Sequence, residues 1–417
     1  MTPCRSCRAS FTDTGHNGTR DRDDVLMTAS AQTASKPLSG VRVLELGGIG
    51  PGPFAGMMLA DLGADVIRID RPGAAAAPSS AWHRVLLRGR RSLALDLKAP
   101  QAAPIVLSLA DSCDGLIEGF RPGVAERLGI GPDAALARNP RLVYGRMTGW
   151  GQTGQLAQEV GHDINYLAVA GALHPLVGVD GSPSPPLNML GDFGGGGMLL
   201  TVGVLAGILA ARRTGVGTVV DAAIVDGTAL LTGMLQSMLA SGDWSGGRGG
   251  NVFDGGAPFY RTYATSDGRW IAVGALEPPF YAAFVAGLGL SEPLPGLGQF
   301  DQAAWPQASS MIARRVGQQT QSQWLATFAG SDACVSPVLD PGEVMSANDG
   351  VGARSYTSRG AVVEPNPAPR FDGEVPRLPP AWLGAGGHTR EILGELGMTP
   401  EDIDRLREGG VISEHPG

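Results

Sequence analysis

The chain has 417 residues with 32 Lys+Arg against 40 Asp+Glu, a net charge of −8, and is 43% hydrophobic and 17% charged. This is enough apolar material for a large core and too little charge for a disordered chain. The acidic balance argues against a nucleic-acid or membrane-surface binder, since both need a basic face.

Residues 1–36 mix Arg5, Arg8, Arg20 and Arg22 with Asp13, Asp21, Asp23 and Asp24 and contain no apolar signal core. They read as a disordered N-terminal extension, with Met27 as an alternative start. Cys4 and Cys7 form a C-x-x-C without a second pair, so no zinc site is expected. Four cysteines in a chain this long make no disulfide framework and point to the reducing cytoplasm. The final residues, Glu414-His-Pro-Gly417, carry no peroxisomal tripeptide, which also favours a cytoplasmic location.

Structure is expected from Pro37. Residues 41–46 read as a buried parallel strand, followed by the glycine-rich turn 47–53, a helix over 54–62 and a second strand over 65–70. Strands at 92–97, 115–118 and 142–146, spaced by helices over 100–110 and 124–128, extend the alternation and predict a helix-covered parallel sheet. Two long apolar helices are expected at 198–211 and 222–241, joined by a short strand at 217–221. The uncharged run 193–211 approaches membrane-spanning length but opens on four glycines, and a buried helix explains it better. A hairpin over 259–275 turns at Asp267-Gly268. Helices at 280–288, 303–316 and 320–329 follow. From 345 to 380 the proline content predicts an extended connection, and two short helices at 389–396 and 400–408 close the chain. The fold class is therefore α/β: a large Rossmann-like domain with a parallel sheet (37–225) and a smaller α+β domain (226–345). A C-terminal segment (346–417) returns to the large domain.

The glycine turn departs from a dinucleotide fingerprint. Gly50-x-Gly52-x-x-x-Gly56 misses the spacing by one residue, and Pro51 and Pro53 remove two N–H groups that would cradle a pyrophosphate. With no acidic residue between Arg71 and Leu95, Arg71, Arg84, Arg88, Arg90 and Arg91 form a local basic stretch, with Lys98 just beyond. It is read as a binding site for a polyanionic small molecule, against the alternative of a solvated basic surface.

Three residues suit proton chemistry. His162, entering an apolar helix, serves as a general base or as a structural histidine. Asp192 precedes four consecutive glycines, which suggests a bulky ligand approaching the backbone beside that carboxylate; a helix N-cap is the alternative. Glu277 ends the hairpin's second strand before Pro278 and Pro279, as a site carboxylate or a capping residue.

Several stretches resemble the family III CoA-transferase superfamily: 46–54, Val66-Ile-Arg-Ile-Asp-Arg-Pro72, Arg91-Ser-Leu-Ala-Leu-Asp-Leu-Lys98 and Glu118-Gly-Phe-Arg-Pro-Gly123. Met147-Thr-Gly-Trp-Gly-Gln152, Gly161-His-Asp-Ile-Asn-Tyr166, Gly191-Asp-Phe-Gly-Gly195, Asp254–Tyr260 and Val273–Pro278 resemble its racemase branch in particular. The resemblance runs from Pro37 to the C-terminus. It implies an interlocked homodimer whose active sites lie where the large domain of one subunit meets the small domain of the other. It also implies an acyl-CoA substrate and no metal or redox cofactor. By the same resemblance His162 and Asp192 are the catalytic acid/base pair, and Glu277 orients the histidine. The implied CoA contacts are Arg71, Leu95, Asp96, Leu97, Lys98 and Arg121, with Gly161, Asp163, Ile164, Asn165 and Tyr166. The implied activity is interconversion of 2-methylacyl-CoA epimers through an enolate. The alternative is a CoA-transferase using Asp192 as nucleophile, which needs no base at His162. Residues 74–77, with Pro78, lack the polar side chains expected near the adenine end.

Overall fold

Six strands begin the architecture: β1 (Arg42–Leu46), β2 (Asp65–Asp70), β3 (Arg90–Leu95), β4 (Gly115–Glu118), β5 (Val143–Thr148) and β6 (Thr218–Ala223). Three more, β7 (Tyr260–Ala264), β8 (Trp270–Gly274) and β9 (Val335–Pro337), make a second, antiparallel sheet. A hairpin of β10 (Tyr356–Arg359) and β11 (Val362–Pro365) follows, and β12 (Ile412–Ser413) comes last. The computed structural model describes residues 36–73, 78–178, 180–290, 298–346, 350–374 and 377–415, without the side chains of 78–82. The expected disordered extension up to residue 35, with its Cys4–Cys7 pair, and residues 74–77 lie outside the described residues.

The main sheet has the order β12-β3-β2-β1-β4-β5-β6, parallel except for β12, which pairs antiparallel with β3. This is the Rossmann order, and the direction of strand addition reverses between β1 and β4. The central strands are buried on both faces, as parallel strands under helices must be. Leu44, Leu46, Ile67, Ile69, Leu93 and Leu95 pack toward the helices Ala102–Ala110, Thr389–Glu395 and Pro400–Glu408. On the other face Val43, Val66, Ile117 and Val143 meet the helices Pro51–Asp61 and Leu199–Thr214. Each such fully buried side chain contributes about 1.5–3 kcal/mol. A third apolar cluster, with Phe259, Ile271, Phe284 and Trp324, joins the three-stranded sheet to the helices Pro278–Gly287, Trp305–Val316 and Gln321–Phe328.

Several boundaries differ from expectation for identifiable reasons. The first helix starts at Pro51, three residues early, because first-turn N–H groups have no intrahelical partner for proline to remove. The third strand begins at Arg90 rather than Ser92, because Glu45 neutralises Arg90 inside the sheet. The helix expected over 222–241 is two, Ile224–Leu231 and Gly233–Ser241, broken at Thr232, whose hydroxyl donates to the Ala229 carbonyl at 2.8 Å. The connection expected to be extended carries the short helix Val351–Ser355 and the β10–β11 hairpin, with Pro365 at the strand end where a missing donor is tolerated. Among the described residues one helical run, Met189–Thr214, is long and apolar enough to cross a membrane by length and composition. Its inner side chains Leu200, Val204 and Ile208 pack on the sheet.

Candidate active site

A cavity of about 330 Å³ opens at the carboxyl ends of β1, β4 and β5. It lies where the sheet order reverses, the place at which an open α/β sheet leaves a crevice. Residues following β1 (Gly48 to Pro53), β4 (Gly119 to Pro122) and β5 (Gly149, Trp150) form its walls, and both His162 and Asp192 line it.

His162 is the N-cap of the helix Asp163–Val169, with extended backbone (φ −130°, ψ 173°). Its N–H donates to Asn165 Oδ1 at 3.0 Å, which fixes the backbone while the ring stays exposed. The buried Tyr166 sits beneath this entry. Its hydroxyl donates to the Gly161 carbonyl, and the Trp150 ring meets it edge-on at 4.7 Å. A Cβ at Gly149 would fall 2.1 Å from the Tyr166 ring, so that glycine is required by the close approach.

Asp192 lies in a wide helical stretch, Met189–Met198, of π-helical geometry, in which the Phe193 N–H reaches back five residues to the Asn188 carbonyl. Such π-turns recur at functional sites. Burial pushes the Asp192 carboxyl up, the neighbouring Asp163 charge adds to this, and Asn188 and His162 pull it partly back. The Asn188 amide is a distant partner, at 3.5 Å from Oδ2. Across the cavity wall Gly50 adopts φ 71°, and a Cβ there would stand 3.2 Å from Asp192 Oδ2. The glycine-rich turn therefore brings the backbone close to the Asp192 carboxyl. From the sequence this turn reads as a failed dinucleotide loop and as a family motif, without its approach to Asp192.

The four glycines after Asp192 have a different role from the one expected. A Cβ at Gly195 would meet Thr228 at 2.8 Å, and one at Gly197 would meet the Pro51 carbonyl at 2.7 Å. They let the Met189–Met198 turn pack against the helices Ile224–Leu231 and Pro51–Asp61, and no ligand is needed to explain them. Asp163 is 8% exposed, and its Oδ1 accepts the Asp192 N–H at 2.7 Å.

The cavity brings together Arg121, Gly161, His162, Tyr166 and Asp192. Arg71 follows β2 directly and Asp96, Leu97 and Lys98 follow β3, on the same carboxyl edge of the sheet but outside the cavity lining. Arg71 and Lys98 are exposed, whereas the Leu95 side chain is core and offers only its backbone. Ile164 and Asn165 are exposed on the first turn after His162. Glu277 is the exposed N-cap of the helix Pro278–Gly287; its side chain caps nothing and does not line the cavity.

The basic stretch is largely a structural feature, contrary to expectation. Arg88, 1% exposed, pairs with Asp61 at 2.6 Å, and Arg90, 3% exposed, pairs with Glu45 at 3.0 Å. Arg91 binds Asp65 and Glu391, each at 2.8 Å. Their carboxylate partners lie far away in sequence, from Asp61 back to Glu45 and out to Glu391, so a local scan finds only the arginines. Asp70 likewise is committed to Arg68 and Ser92, at 2.7 and 2.6 Å. Among the described residues no three His, Cys, Asp or Glu side chains gather as metal ligands.

Fold and cavity together define an α/β enzyme with a ligand edge at the strand ends and an imidazole and a carboxyl at one cavity. The chain belongs to the CoA-transferase family III, whose profile matches residues 38–387. It is 43% identical over 379 residues to the alpha-methylacyl-CoA racemase of Mus musculus, covering 90% of this chain and 97% of that protein. The alpha-methylacyl-CoA racemase of Homo sapiens is 42% identical over 91% of this chain and 98% of its own. In structure the chain is similar to a CAIB/BAIF family protein from Brucella suis, with a TM-score of 0.74 at 24% identity. That match covers 87% of this chain and all of the other.

Proposed function

We propose that the protein interconverts the two epimers of 2-methylacyl-CoA thioesters. The observation that carries this reading is the placement of His162 and a carboxyl held toward its protonated form, Asp192, at one cavity. The racemases of mouse and human, similar over nine-tenths of the chain, support it.

The α-hydrogen of a thioester is weakly acidic because the carbonyl delocalises the carbanion as an enolate. Neutral His162 takes this proton from one face of the α-carbon, and the enolate forms. The Asp192 carboxyl then returns its own proton to the opposite face, leaving imidazolium and carboxylate, which serve the reverse direction. First-turn N–H groups at Asp163 and Ile164 have no intrahelical partner and supply donors for the enolate oxygen. Arg71, Lys98 and Arg121, with the backbone from Leu95 to Leu97, grip the CoA along the strand ends. The reaction uses no cofactor, since the thioester itself carries the electron sink.

A homodimer completes the site in this reading, with Glu277 of a second copy orienting His162. Exposed apolar side chains support it: the helix Gly233–Ser241 buries no residue and exposes Met234 and Leu239, and Leu230 is exposed on the helix before it. Unpaired Cys113 and Cys334 accord with a reducing cytoplasm.

A CoA-transferase of the same family is the second reading, with Asp192 as nucleophile. Incubation of a single 2-methylacyl-CoA epimer with a labelled free carboxylic acid separates the two. The racemase reading expects inversion at the α-carbon with no label entering the thioester. Label entering the thioester, without inversion, would overturn it.

A further inference from the structure

One buried carboxyl has no part in the proposed mechanism. Asp163 is 92% buried, and its Oδ2 makes no hydrogen bond. Its Oδ1 accepts the Asp192 N–H at 2.7 Å. A Cβ at Gly191 would lie 2.4 Å from that oxygen, so the glycine exists to admit the carboxylate. An asparagine would accept the same backbone bond without burying a charge. The choice of aspartate therefore calls for a reason beyond anchoring.

We propose that Asp163 is a positioning residue that clamps the Asp192 turn through its backbone and, by its negative charge, favours the protonated form of the Asp192 carboxyl. This rests on the racemase reading. Burial raises both carboxyls, but they are unequally served: Asp163 Oδ1 accepts the Asp192 N–H at 2.7 Å, which favours its charged form, while the hydrogen bond to Asp192 is a 3.5 Å amide. Two adjacent carboxyls do not both ionise readily, so the proton goes to the one with the weaker donor. The groups facing Asp192 are His162, Asp163 and Tyr166 from the neighbouring helix and Asn188 on its own turn. Glu45, Glu118 and Arg121 line the same cavity. Of these, Asp163 is the one whose charge opposes ionisation of Asp192 most directly. The assignment differs from a CoA-contact role for Asp163, which would act on binding.

The test uses the full chain with Asp163→Asn, which keeps an acceptor without charge, and Asp163→Ala, which removes both. For Asp163→Asn the expected result is a kcat ~10-fold lower at unchanged KM, with both limbs of the kcat/KM pH profile moved to lower pH. Asp163→Ala loses ~100-fold. The Asp192 ¹³Cγ resonance, read without turnover, titrates at lower pH in Asp163→Asn than in the parent. A pH profile and resonance that stay in place overturn the proposal, as does a raised KM at unchanged kcat or failure of both variants to fold. If the parent enzyme does not invert its substrate, the racemase reading fails separately, and the resonance still decides the role of Asp163.

Discussion

Two groups of buried charge in this molecule are treated in opposite ways. Around β1 to β3, arginines and carboxylates are matched: Arg90 with Glu45, Arg68 with Asp70, Arg88 with Asp61. Burial works against the charge of Asp65, yet Arg91 and Arg42 hold its carboxyl below the ordinary range. At the cavity, Asp163 holds the Asp192 backbone N–H, among the described residues no arginine or lysine is hydrogen-bonded to either carboxyl, and both are pushed up by burial. The first group is stable because its charges cancel. The second is biased toward its protonated form by burial, a departure from the matched pairing of the rest of the fold.

The contrast can be broken at the matched end first. Arg90→Met leaves Glu45 short of a partner and is expected to destabilise the fold by about 3–5 kcal/mol in urea unfolding, with CoA affinity unchanged in the folded fraction. A weakened CoA affinity at unaltered stability would return the basic stretch to the ligand. Gly50→Ala forces a Cβ into positive φ and toward Asp192 Oδ2, 3.2 Å away. It is expected to lower kcat ~10-fold at constant KM, and wild-type kcat would separate the turn from the carboxyl.

The smallest effect concerns stability against pH. The Asp192 carboxyl is raised in the folded state, so the fold binds its proton more tightly than the unfolded chain does. Its ionisation therefore costs stability as pH rises through the folded value. Asp192→Asn is expected to raise Tm by a few degrees at pH 7 and to lose that gain below about pH 4, where the aspartate is protonated in both states. A gain that persists at pH 3 would contradict the raised carboxyl.

Most of the sheet was legible because buried parallel strands read as unbroken apolar runs, and β1, β2 and β4 fall where expected. His162 and Asp192 were legible as residue types in their local settings. The arginines were misread because their partners are distant in sequence; Glu364 reaches Arg88 across 276 positions. The glycines from 194 to 197 pointed correctly to close approach, but residue types do not say what approaches, and the neighbours are helices. Asp163 was noticed within its motif, while its bond to the Asp192 N–H depends on a π-helical turn that no spacing rule announces.

Racemisation in the proposed manner requires His162 and Asp192 to serve opposite faces of one α-carbon. The most direct test follows a single 2-methylacyl-CoA epimer in heavy water with the parent enzyme, His162→Ala and Asp192→Ala. The parent should incorporate solvent deuterium at the α-carbon with inversion. Each variant should lose inversion by ~100-fold or more, while one epimer still exchanges through the base that remains. Inversion at the parent rate in either variant would contradict the two-base assignment.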